Sequence, residues 1–110
     1  MNALNSILIE GNVVSDAIVR ETPNGSLVCN FSIASNRFYK KDDEIEQETS
    51  YFEIETWGKL AESCGKGCLK GRGARIVGRI KQNRWTDSEG KNQSKIIVIA
   101  EHVEFKPVKP

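Results

Sequence analysis

The feature that most constrains this chain is strict two-residue alternation, which recurs along most of it. Ala74, Ile76, Gly78 and Ile80 alternate with Arg75, Val77, Arg79 and Lys81. Only an extended strand with one buried and one solvated face satisfies such a pattern, because successive side chains of a strand point to opposite sides. The parity runs on to the strand's end and brings Trp85 onto the arginine face.

The same reasoning places the other elements. Ile7, Leu8 and Ile9 lead through Gly11 to Val13 and Val14, as a long first strand bent at its glycine would. Thr22-Pro23-Asn24-Gly25 ends it in a turn, since proline presets one φ and Asn-Gly tolerates positive φ. Next, Leu27, Cys29, Phe31 and Ile33 alternate with Val28, Asn30, Ser32 and Ala34, which assigns the larger side chains to the core. Residues 40–49 carry no apolar period and read as a charged loop. From Tyr51 alternation resumes: Phe52, Ile54 and Thr56 share one face, and Tyr51, Glu53, Glu55 and Trp57 the other.

Leu60, Ala61, Cys64 and Cys68 then fall at helical spacing, in a short helix frayed by Gly65 and Gly67. After the strand that carries Trp85, Thr86 to Gly90 makes a second hairpin turn, and Lys95 to Phe105 a last strand. Three strands, a helix and two strands is the order of an all-β, five-stranded Greek-key OB barrel, with its one short helix between strands 3 and 4. A chain of 110 residues closes one such core. Residues 1–106 read as that domain, and 107–110 as a short extension without an acidic tip.

The formal net charge of +1 conceals a division. Residues 1–68 carry 6 basic and 11 acidic side chains, residues 69–110 carry 10 and 4. A basic face built by the second half suits an anionic partner. No apolar run approaches a membrane span, and no basic-then-apolar start marks a secretory signal, so a cytoplasmic protein with reduced cysteines is expected.

Other chemistry finds little footing. A structural zinc would need Cys29 and His102 to converge with Cys64 and Cys68 from distant strands, so buried thiols are the simpler reading. Gly65-Lys66-Gly67 lacks the glycine and the hydroxyl of a phosphate loop, and Lys70 stands where a dinucleotide fingerprint needs its third glycine. The single histidine and the carboxylate pairs define no catalytic cleft, so neither enzyme nor cofactor is expected. Aromatic and basic residues do combine. Rings stack on bases, and lysine or arginine neutralises phosphates.

Six motifs carry a resemblance: Ile7-x-Ile9-x-Gly11-Asn12, Arg20-x-Thr22-Pro23-Asn24-Gly25, Ser35-Asn36-Arg37, Thr56-Trp57-Gly58-Lys59-Leu60-Ala61-Glu62, Lys70-Gly71 and Arg84-Trp85-Thr86-Asp87. In this order and spacing the chain resembles the bacterial single-stranded DNA-binding protein family from about residue 2 to residue 105. The resemblance implies that Tyr39, Tyr51, Trp57 and Trp85 stack on bases, that the protein assembles as a homotetramer, and that it is nucleoid-associated in replication, recombination and repair. Arg75, Arg79, Lys81, Arg84 and Lys59 are the candidates for following the phosphate chain, with Arg37 and Lys40 helping near Tyr39.

Three departures stand out. Glu53 and Glu55 lie on the expected binding strand, Gly67 interrupts the helix, and the acidic tip that recruits replication and repair proteins is absent. A second reading therefore stays beside the first: an accessory module of primosomal type that docks other proteins, with the acidic loop and Glu53 and Glu55 facing a basic partner.

Overall fold

A computed structural model describes residues 2–108. Seven elements follow in order: β1 (Ile7–Val13), β2 (Ile18–Glu21), β3 (Leu27–Lys41), β4 (Glu44–Trp57), α1 (Gly58–Gly67), β5 (Gly73–Thr86) and β6 (Asn92–Phe105). The strands form one sheet in the order β1-β5-β6-β4-β3-β2, and an additional β1–β3 pairing closes it into a barrel. Among the described residues β4 and β6 run parallel and the other pairs are antiparallel. The helix lies between the third and fourth long strands of the closed barrel, as the element order implies.

Closure depends on β1 touching two neighbours. Ile7 to Asn12 pair with β5, while Asn12 and Val13 also pair with Ala34 and Ile33 of β3. Gly11 sits at that junction, where a Cβ would lie 2.6 Å from the Ala34 carbonyl oxygen. No larger residue fits the bend without moving backbone.

The expected single bent strand is interrupted, however, between Val13 and Ile18. The reason is local hydrogen bonding. There the backbone turns to the α1–β5 connection: the Ala17 N–H donates to the Cys68 carbonyl at 3.0 Å, and the Asp16 carboxylate accepts from the Lys70 N–H at 2.9 Å.

The segment 40–49, expected to be a loop, is largely strand. β3 and β4 continue in unbroken register from Ser35 opposite Ser50 to Lys41 opposite Glu44, turning through Asp42 and Asp43. Both turn residues have positive φ, 50° and 66°, the requirement of a tight two-residue hairpin that aspartate tolerates. Apolar alternation is missing here because the hairpin projects from the barrel as an arm, and there is no core for either face to meet. Strand β6 likewise begins at Asn92, three residues earlier than the apolar pattern reveals.

Inside the barrel, Val13, Cys29, Phe31, Ile33, Ile54, Ile76, Val98 and Ala100 pack with Ala61, Cys64 and Cys68 of the helical segment. Thr56 is the buried polar side chain, and its hydroxyl donates to the Cys29 carbonyl at 3.2 Å. The helix is complete through Gly67. A Cβ there would stand 2.6 Å from the Phe105 ring, so the residue that argued against a helix gives β6 room to pack on it.

The cysteines are free and buried. Cys68 is held well above the ordinary thiol range by its hydrogen bond with Cys64 and by burial, and burial also raises Cys29. His102 is exposed on β6, outside this cluster.

Candidate nucleic-acid interface

The outer face of the barrel is set by pleat parity and ladder register. On β4 it presents Tyr51, Glu53, Glu55 and Trp57, and on β3 their partners Ala34, Ser32, Asn30 and Val28. On β6 the same face carries Lys95, Ile97 and Ile99, paired with Asn83, Lys81 and Arg79 of β5, while Trp85 pairs with Gln93. Because β6 lies between β4 and β5, these rows form one continuous surface across four strands.

Three rings rise from it. Tyr51 is 69% exposed, Trp57 45% and Trp85 46%, values far above those of core aromatics and suited to stacking a planar ligand. The floor between them is dry: Ile97 and Ile99 are only 3% and 8% exposed although they point outward. Val28, expected among the small and polar side chains of its face, is fully buried opposite Trp57.

Tyr39 departs from this grouping. It lies near the tip of the β3–β4 arm, opposite Glu46, and its parity puts it on the side of Arg37 rather than that of Tyr51. The phenol donates to Glu46 Oε2 at 3.1 Å, and the Arg37 guanidinium sits 5.6 Å from its ring centre. Phe38, which the sequence reading passed over, shares the parity of Ala34 and Tyr51 and is 65% exposed. Nothing in the apolar pattern singles it out, because the arm has no core face for its other side to meet.

The basic candidates divide by their partners. Arg79 and Lys81 stand on the outer face with no carboxylate within ion-pairing distance among the described residues. Lys59, in the first turn of α1, lines a shallow cavity of about 550 Å3 with Gly25, Ser26, Leu27, Trp57, Gly58 and Glu62. By contrast, Arg75 bridges Glu10 at 3.4 Å and Glu104 at 3.8 Å. Arg37 pairs with Glu48 at 3.8 Å and Lys40 with Asp43 at 3.9 Å. Arg84 has the opposite parity to Lys81 and Trp85 and donates to Gln82 at 2.7 Å, although it shares a shallow cavity of about 520 Å3 with Trp85.

Glu53 and Glu55 have internal partners. Lys95 Nζ lies 2.9 Å from Glu53 Oε2, and the Trp57 indole N–H donates to Glu55 Oε2 at 3.0 Å. Only the first of these partners is a cation.

A closed five-stranded barrel with an aromatic and basic outer sheet defines an OB-fold of the oligonucleotide-binding kind. The model of the single-strand binding protein family matches residues 4–106, and the chain belongs to that family. It is 36% identical over 101 residues to a single-stranded DNA-binding protein of Aquifex aeolicus, covering 91% of this chain and 68% of that one. It is 32% identical over 105 residues to one of Treponema pallidum, covering 96% of this chain and 59% of that one. A chain from a Plasmodium falciparum SSB complex with ssDNA has the same fold, with a TM-score of 0.87 at 20% identity over 97% of this chain and 98% of that one.

Proposed function

We propose that this protein binds single-stranded DNA without sequence specificity and coats it during replication, recombination and repair, acting as a binder and not as an enzyme. The observation that carries this reading is the continuous outer face on which Tyr51, Trp57 and Trp85 stand exposed, together with Arg79 and Lys81, which have no carboxylate partner among the described residues. The rings stack on bases, at about 1–3 kcal/mol per base. Arg79, Lys81 and Lys59 follow the phosphates, releasing counterions as they do so. Arg84 joins them from the edge of the β5–β6 arm, and Arg75, Arg37 and Lys40 contribute less because each already has a carboxylate. Tyr39 stacks only on a strand that reaches the arm's tip.

The binding unit is the OB domain through residue 106. Among the described residues no helix is long and apolar enough to cross a membrane. A cytoplasmic, nucleoid-associated homotetramer is the assembly that family membership supports, and exposed Leu8, Ile80 and Ile96 supply apolar surface for it. The protein-docking alternative is weakened, since Glu53 is paired with Lys95 and, on the acidic arm, Glu48 and Asp43 are paired with Arg37 and Lys40.

Titration with oligo-dT tests the reading. Tryptophan fluorescence is expected to quench, and log K to fall with log salt at a slope of about −0.7 per phosphate neutralised. Unchanged fluorescence at low salt refutes it.

A further inference from the structure

The β3–β4 arm is acidic as a whole, but its two faces are not alike. Residues paired across a ladder share one face of the sheet, and here the register is unbroken from Val28 opposite Trp57 to Lys41 opposite Glu44. Asn36 with Thr49, Phe38 with Gln47 and Lys40 with Ile45 therefore continue the outer face that carries Tyr51 and Trp57. Arg37 with Glu48, Tyr39 with Glu46 and Lys41 with Glu44 occupy the other side. Beyond Tyr51, every carboxylate on the two described strands is thus turned away from the stacking face. Two of them are engaged there, Glu48 by Arg37 and Glu46 by the Tyr39 hydroxyl.

The outer side is built differently. Next to Tyr51, Gln47 Nε2 donates to Asn36 Oδ1 and to Thr49 Oγ1, each at 3.0 Å, and the Thr49 hydroxyl donates to Asn36 Oδ1 at 2.7 Å. This closed, neutral patch does not repel a phosphate chain. Past it, Phe38 is 65% exposed and its diagonal neighbour Ile45 78%. A two-stranded ribbon offers neither of them a core, so the ring stands in water at the far end of the row that Trp57 and Tyr51 begin. Lys40, on the same face, meets Asp43 only at 3.9 Å, and both side chains are exposed, so the pair holds its cation weakly.

We infer that the single-strand track continues from the barrel along this outer side of the β3–β4 arm, with Phe38 as a stacking ring. The inference rests on the single-strand reading above. Every base has a flat face, so a phenylalanine ring extends the track without selecting sequence. From the register position of Trp57 to that of Phe38 is ten residues of β3, about 33 Å of strand. A long oligonucleotide reaches the arm, whereas a short one is held by the barrel alone.

Oligo-dT of about 6 and about 16 nucleotides, both within the range one OB domain occupies, separates the two regions. Each is titrated at fixed salt against the unaltered protein and against Phe38→Ala, Phe38→Leu and Phe38→Trp, with tryptophan quenching as readout. Phe38→Ala and Phe38→Leu are each expected to weaken binding of the longer oligomer about tenfold, the scale of one stacked base, and of the shorter one about twofold or less. Phe38→Trp is expected to keep the affinity and to add emission that the longer oligomer quenches. Full affinity of Phe38→Ala or Phe38→Leu for the longer oligomer, equal losses at both lengths, or an added indole that DNA does not quench overturns the inference while the single-strand reading stands. Failure of the unaltered protein to bind either oligomer overturns that reading itself, and this inference with it.

Discussion

The β3–β4 and β5–β6 hairpins are both long two-stranded arms with tight turns, yet they are built for different electrostatic tasks. Residues 35–50 of the first carry three cations and five carboxylates, and residues 79–97 of the second carry five cations and two carboxylates. In the first arm Arg37 faces Glu48, Lys40 faces Asp43, and the Tyr39 hydroxyl bonds Glu46. In the second, Arg79 and Lys81 share the face of Trp85 with no carboxylate partner among the described residues, and the acidic Asp87 is bonded to its own hairpin. A cation is useful to a phosphate chain only when it is not already paired, so the count of basic residues says less than their register.

The strongest way to break this comparison is to remove one ring from each arm. Trp85→Ala is expected to weaken oligo-dT binding by about 1–3 kcal/mol, and Tyr39→Ala by clearly less, as read by equilibrium titration. Equal losses would mean that both arms grip DNA alike.

Charge removal sharpens it next. Replacing Arg79 and Lys81 by Gln is expected to make the slope of log K against log salt shallower by about 1.4, two contacts at about 0.7 each. The same change at Arg37 and Lys40 is expected to alter the slope less, because both already face carboxylates.

The reverse experiment should recruit the acidic arm. Glu48→Gln with Asp43→Asn frees Arg37 and Lys40, and affinity at low salt is expected to rise a few-fold. Unchanged affinity would show that the arm lies off the DNA path whatever its charge.

Acid produces the smallest effect, confined to the β5–β6 tip. The Gln93 amide, then the backbone N–H of Lys91 and of Glu89, hold the Asp87 carboxyl below its ordinary 3.8. A depressed folded value means the ionised form supports the fold: the contribution is full above the ordinary value and is lost as pH falls through the depressed one. Amide exchange at Ser88 to Lys91 is therefore expected to quicken in strong acid before the barrel opens, with no matching change at the Asp42–Asp43 tip.

Much of this was legible in the residues themselves. The parity of Tyr51 with Trp57, and of Arg79 with Lys81 and Trp85, is a local property of an extended chain, which only a bulge can disturb. The register shift between Val77 and Gly78 leaves it intact, because the extra residue lies on β6. The arms were less visible. Their strands are solvated on both faces, so no apolar period announces residues 40–49 as strand, and none marks the sides on which Phe38 and Tyr39 emerge just before them.

By itself, then, the sequence determined the pleat and its sides: which residues can share a face, where turns with positive φ can form, and that aromatic and basic groups lie together. Tertiary structure decided what those groups are free to do. Lys95 reaches Glu53, and Glu10 and Glu104 bind Arg75, only because the barrel closes in one register. Strand periodicity is written over two residues, whereas an ion pair between strands joins positions tens of residues apart and exists only once the ladder is set.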